Sequence, residues 1–124
     1  MRLYLAGPMT GRHRWNFDAF LDAARALRAR GYSVLSPAEM DLAEGFDPDA
    51  PVEEWTETAT HAAMRRDLAA VVSRVNGVAV LPGWDDSRGA SLEVAVARAI
   101  GLPVLTVEDL LAPRYLPDLE VYPV

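Results

Sequence analysis

The chain contains no cysteine and no lysine. The first absence excludes disulfides, thiolate metal sites and a cysteine nucleophile together. The second excludes a Schiff-base lysine and the lysine of a Walker-type phosphate loop. All twelve basic residues are arginine, a bias that GC-rich codon usage explains without any function. Histidine is scarce, with His13 and His61 alone, so neither a transition-metal site nor any metal is expected. No apolar run approaches the ~20 residues of a membrane span. The opening residues lack the longer apolar stretch and small-residue cleavage site of a secretory signal. A cytoplasmic protein without a membrane partner is therefore expected. Eighteen acidic against twelve basic residues give a net charge of −6, which disfavours nucleic acid, whose phosphates require a basic surface. A small anionic ligand stays compatible with that charge, because one or two arginines suffice locally.

What is present is an apolar half of the composition in 124 residues, enough for one domain with a real core. The spacing of apolar residues and breakers predicts strands at 2–6, 32–35, 78–81 and 103–107. It predicts helices over 16–30, over 51–74 and over 87–100, and a helical turn near 109–112. Asn16 is the expected cap of the first helix and Gly31 its stop. Pro51 is the expected first residue of the second helix. The acidic stretch 39–54, with Gly45, Pro48 and Pro51, reads as a loop or lid. Strands alternating with helices imply an α/β fold, a single-domain Rossmann-like (flavodoxin-like) parallel sheet of four or five strands between helices. One domain spans 1–124, with its core in 2–107 and a tail over 108–124.

Within this frame Glu93 stands out, an acid on an apolar helical stripe of Ala90, Glu93, Val96/Ala97 and Ile100. A carboxylate there is costly unless compensated. Its ordinary explanation is a neighbouring arginine or backbone amide. Asp67 shares a helical face with Thr60, Met64 and Val71, and its ordinary explanation is an ion pair with Arg65 or Arg66, or exposure. The loop Gly7-Pro8-Met9-Thr10-Gly11-Arg12 follows the first strand, where glycines let backbone amides approach an anion or a planar ring. After the third strand comes Pro82-Gly83-Trp84-Asp85-Asp86. Trp84 there either stacks on a base or covers the core. Ser87-x-Gly89-x-x-x-Glu93 places a hydroxyl and unpaired amides at a helix N-terminus, a seat for phosphate, with a carboxylate nearly two turns deeper. All these segments belong at the carboxyl edge of the sheet, where open α/β folds bind ligands.

Tyr4-Leu5-Ala6-Gly7-Pro8, Arg66-Asp67 and Ser87-Arg88-Gly89-Ala90-Ser91-Leu92-Glu93 resemble the motifs of the nucleoside 2-deoxyribosyltransferase superfamily. In spacing the chain is similar to the 2'-deoxynucleoside 5'-phosphate N-hydrolase branch and to cytidylate-type N-glycosidases. The resemblance implies that Glu93 is the nucleophile or stabiliser at the sugar C1′, that Asp67 relays a proton to the base and that Tyr4 orients Glu93. The two loops and the helix start supply the expected substrate contacts, Gly7, Pro8, Met9, Thr10, Gly11, Arg12, Trp84, Asp86, Ser87, Arg88 and Gly89. The nucleoside-using transferases carry an aspartate six positions before the glutamate, and this chain has Ser87 there. An aspartate would repel a phosphate that a serine at a helix N-terminus would accept, which points to a nucleoside 5′-monophosphate.

Such chemistry needs one ionised carboxylate under C1′ and one acid able to protonate the leaving base, and no cofactor. The expected activity is hydrolysis or transfer at an N-glycosidic bond. The alternative is a sensor module of the same fold that binds a nucleotide derivative without chemistry. A homo-oligomer is implied by the resemblance. The tail from Tyr115 adds an argument, since its tyrosines, leucines and valines suit packing on a partner or on its own domain.

Overall fold

The computed structural model describes residues 1–113. The tail from Tyr115, expected to pack on a partner or on its own domain, lies outside them. Four strands form one parallel sheet among the described residues: β1 (Arg2–Ala6), β2 (Ser33–Leu35), β3 (Gly77–Val80) and β4 (Val104–Thr106). Their order is β2-β1-β3-β4. In register, Leu3 stands beside Val34 on one side and Gly77 on the other, and Val78 beside Val104. Chain crossovers leave β1 towards β2 and later return beside β1 as β3. The loops after β1 and β3 therefore diverge, and a crevice opens at that switch point.

Side-chain alternation along β1 divides the core into two. Leu3 and Leu5 face one side and pack with Phe17, Phe20, Ala24 and Leu27 of α1 (Phe17–Ala29) and with Leu110 of α5 (Val107–Leu111). Tyr4 and Ala6 face the other side. There they meet Ala70 and Val71 of α3 (Glu57–Ser73) and Ala90, Val94 and Ala97 of α4 (Arg88–Ala99). Leu3, Tyr4, Leu5 and Ala6 are all fully buried, as a parallel strand covered on both faces requires. The register of one short strand thus decides that Tyr4 looks towards α3 and α4, where the acidic residues lie.

Several local expectations are corrected. Residues 39–43, expected as the start of a loop, belong to a helix, α2 (Pro37–Ala43), with Pro37 in its first turn, a position where a missing N–H costs nothing. Pro51 does not open α3. A separate short turn, Val52–Glu54, intervenes, and α3 begins at Glu57 behind Thr56, whose hydroxyl accepts from the Ala59 amide at 3.1 Å. Asn16 stands at the N-cap of α1 as expected, but its side chain makes no capping hydrogen bond. Its backbone is left-handed (φ 62°) and its side-chain Nδ2 donates instead to the Pro8 carbonyl at 3.0 Å. On α4 the buried stripe runs through Ala90, Glu93, Val94 and Ala97, whereas Ile100 is exposed. The helix has ended by then, and Ile100 has left its face.

Candidate active site

Burial decides the character of the acids. Glu93 is 5 % exposed and Asp67 is 8 % exposed, and each sits on a helix whose other inward residues are apolar. Tyr4 is fully buried beneath them, and its hydroxyl donates to Glu93 Oε2 at 2.5 Å. Glu93 is thus satisfied by a tyrosine rather than by an arginine or an amide. Desolvation pushes the Glu93 carboxyl up to about 8, with the Tyr4 hydrogen bond and Arg66 opposing and the nearby Asp67 charge adding to the rise. Desolvation also raises the Tyr4 hydroxyl well above its ordinary value, helped by the Glu93 charge.

Asp67 pairs with the adjacent Arg66, as its ordinary explanation held. Arg66 Nε donates to Asp67 Oδ1 at 2.9 Å and Nη2 lies 2.8 Å from the same oxygen. The same guanidinium reaches Asp41 Oδ1 at 2.8 Å and Glu44 Oε1 at 3.1 Å through Nη1. Burial nevertheless dominates at Asp67 and lifts its carboxyl to about 6, against the pull of Arg66. Two buried carboxyls with raised affinities for a proton therefore face one cleft, each with a different hydrogen-bond partner. That asymmetry allows one to be charged while the other holds a proton.

The cleft is lined by Gly7, Met9 and Thr10 from the loop after β1, by Ser87, Gly89, Ala90 and Glu93 of α4, and by Asp67, Met64, Ala63 and Thr60 of α3. The Gly7 loop and Glu93 therefore share one cavity. Ser87 caps α4, its Oγ accepting from the Ala90 amide at 3.2 Å. The amides of Arg88 and Gly89 belong to the first turn, where a helix has no internal acceptor for them. Gly7 has no room for a side chain. A Cβ there would stand 2.9 Å from Leu81 Cβ and 3.2 Å from Phe20 Cζ, so its glycine serves the close approach of the chain to the core rather than to a ligand.

Other expected contacts lie outside this lining. Pro8 is buried, with its carbonyl held by Asn16. Gly11 turns the loop with φ 80°, and Arg12 packs over the loop after β3, where a Cβ on Gly83 would meet Arg12 Nη2 at 2.6 Å. Asp86 and Arg88 are exposed beside the mouth of α4. Trp84 covers the core next to α4, with the Arg98 guanidinium 5.8 Å from its ring centre. Of the two roles open to Trp84, its position is that of the core cover.

The sequence reading missed the opposite wall. Trp15, Phe17, Phe46 and Trp55 line the cleft together with Pro37 and Asp41. Trp15 stands 5.7 Å from Phe46 and 5.8 Å from Trp55, and Phe46 lies edge-on to Trp55 at 5.1 Å. Trp15 reaches this place through a backbone that L-residues rarely adopt, since Arg14, Trp15 and Asn16 all have φ between 46° and 62°. The turn is held by Arg14, which bonds Asp49 at 2.7 Å and Asp18 at 2.6 Å, and by the Asn16–Pro8 bond. A signal existed in the sequence: Phe46 and Trp55 are large aromatics in or beside an acidic, proline-containing stretch that has no periodicity to bury them. Among the described residues no group of three or more His, Asp or Glu side chains is placed to hold a metal ion. None of their helices is long and apolar enough to cross a membrane.

Residues 1–106 match a family described as a domain of unknown function, DUF4406, and the chain belongs to it. That family falls in the nucleoside deoxyribosyltransferase-like group. No curated protein matches the sequence. Among solved structures, the 2-deoxyribosyltransferase of the psychrotolerant bacterium Bacillus psychrosaccharolyticus is similar, with a TM-score of 0.61 over 98 % of this chain and 92 % of that one. The two are 21 % identical, so the likeness shows a shared fold. That enzyme is described as a biocatalyst for the synthesis of antiviral and antitumoral nucleosides.

Proposed function

From family membership and from the cleft, we propose that the protein cleaves or transfers the N-glycosidic bond of a nucleoside 5′-monophosphate. The observation that carries this reading is the pair of buried carboxyls, Glu93 on Tyr4 and Asp67 on Arg66, meeting in one cavity. Glu93 bonds to, or stabilises the positive charge on, C1′ as the C1′–N bond breaks. Asp67 supplies the proton that lets the base depart neutral, and water or a second base then takes the sugar. Tyr4 positions Glu93. The aromatic wall of Trp15, Phe46 and Trp55 offers flat apolar surface to a base. The start of α4, with Ser87 and its first-turn amides, offers a seat for the phosphate. The nucleoside chemistry described for the Bacillus psychrosaccharolyticus enzyme supports the same substrate class.

The test is incubation with nucleoside monophosphates and nucleosides, in ribose and deoxyribose forms, with chromatographic detection of free base or of an exchanged base. Base release or exchange by the parent, lost in Glu93→Gln while circular dichroism is unchanged, is expected. A Glu93→Gln variant that retains turnover removes Glu93 from the chemistry.

A further inference from the structure

Asp41 is a third acid in the cleft, and the glycosidic chemistry has no use for it. It comes from α2, the helix whose existence the sequence concealed. Its side chain is largely buried, and Arg66 engages Oδ1 at 2.8 Å. No described side chain donates to the second oxygen. Ser36 Oγ is the sole fully buried, unpartnered side-chain polar atom among the described residues, so Asp41 Oδ2 is not sealed in the protein, and Asp41 lines the cleft. Asp41 is also tied to the aromatic wall, because its backbone carbonyl accepts from the Phe46 amide at 2.9 Å.

Arg66 sets the spacing of the acids. Asp67 sits on Nε and Nη2, and Asp41 sits on Nη1, so one guanidinium links two carboxylates that both line the cavity. A planar base lying against Trp15, Phe46 and Trp55, with its leaving nitrogen served by Asp67, presents a more distant edge to Asp41. Burial raises the Asp41 carboxyl and Arg66 opposes that rise; the ion pair at 2.8 Å is that of a carboxylate, and a carboxylate only accepts hydrogen bonds. An exocyclic amino group satisfies such an acceptor. An exocyclic oxygen at the same place sets one acceptor against another and leaves the second carboxylate oxygen without a donor.

We propose that Asp41 selects the base, and that the cleft takes nucleotides whose base carries an exocyclic amino group in preference to their oxo counterparts. This rests on the nucleotide reading above and adds the class of base. It makes Asp41 a specificity-determining residue on the wall opposite α4.

Matched pairs that differ in this one group test it: adenine against hypoxanthine monophosphates, and cytosine against uracil monophosphates. Two quantities are read, kcat/KM for base release by the parent and the Kd of each nucleotide by calorimetry with the parent protein. The amino member of each pair is expected to be favoured at least about tenfold. In Asp41→Asn the preference should shrink to within about twofold or invert, since an amide can donate to the oxo group. The asparagine keeps an acceptor for Arg66, and the parent's own preference tests the proposal independently of how the variant folds. Equal handling of both members by the parent, or an unchanged preference in Asp41→Asn, overturns the proposal. Base release without discrimination sinks this inference and leaves the glycosidic reading standing. Amino-selective binding without base release does the reverse. Binding of neither member removes both.

Discussion

The Tyr4 hydroxyl donates to Glu93 Oε2 at 2.5 Å, joining residues 89 positions apart. Both partners are buried, so the bond forms in a poorly screened setting and favours the ionised carboxylate. Tyr4→Phe removes that support and raises the Glu93 pKa further. A hydrogen bond to a charged group is worth about 1.5–3 kcal/mol, so turnover at neutral pH should fall roughly 10–100-fold. Part of the loss should return at higher pH. A Tyr4→Phe variant with the parent's rate and pH profile would show that Tyr4 only fills space.

The paired carboxyls make the activity bell-shaped in pH. Burial lifts Asp67 to about 6 and Glu93 to about 8, and the Asp67 charge adds to the rise at Glu93. The active form holds the one proton on Asp67 with Glu93 charged, the less populated of its two placements, and the two limbs belong to the pair rather than to either residue. The kcat/KM profile of the parent should peak between about 6 and about 8. In Asp67→Asn the nearby charge is gone, so Glu93 titrates lower. The residual activity should rise once and then stay level with increasing pH.

Glu93 also links stability to pH. Its carboxyl binds a proton more tightly in the folded chain, near 8, than its ordinary value of 4.5. That contribution is complete below the ordinary value and is lost as pH climbs through the folded one. Glu93→Gln keeps the shape and drops the charge. The variant should therefore gain on the parent between about pH 5 and about pH 9, by an amount on the order of 2–4 kcal/mol. Thermal melts of both proteins across that range measure it. A constant difference between the two would show that Glu93 titrates alike in both states.

Ser87→Asp tests the phosphate seat with little risk to the fold, because aspartate caps helices as well as serine does. Ser87 Oγ accepts from the Ala90 amide at 3.2 Å, a bond that a carboxylate oxygen can replace. The added charge at the cleft should repel a 5′-phosphate. Relative kcat/KM on a nucleotide and its nucleoside should shift towards the nucleoside by about tenfold or more. An unchanged ratio places the phosphate elsewhere.

By itself the sequence determined the architecture and two acids of the cleft, Glu93 and Asp67. Strand alternation, helical spacing and the glycines that end α1 and α4 are local signals, and they located β1, β3, α1 and α4 to within a residue or two. An acid on the apolar stripe of α4 marked Glu93, because the cost of burying a charge is legible wherever periodicity predicts burial. Local signals failed where long-range contacts outweighed them. Pro37 opens a helix that an acidic composition disguised, and Asn16 gives up capping to tether Pro8 through a left-handed backbone. Only the tertiary structure decided which groups meet. The alternation of β1 turns Tyr4 rather than Leu5 towards α4, and the order β2-β1-β3-β4 opens the crevice between the loops. Trp15, Phe46 and Trp55 then gather from separate turns into one wall. Through Arg66 the fold sets Asp41 beside Asp67, a juxtaposition of side chains 26 positions apart that no spacing along the chain encodes.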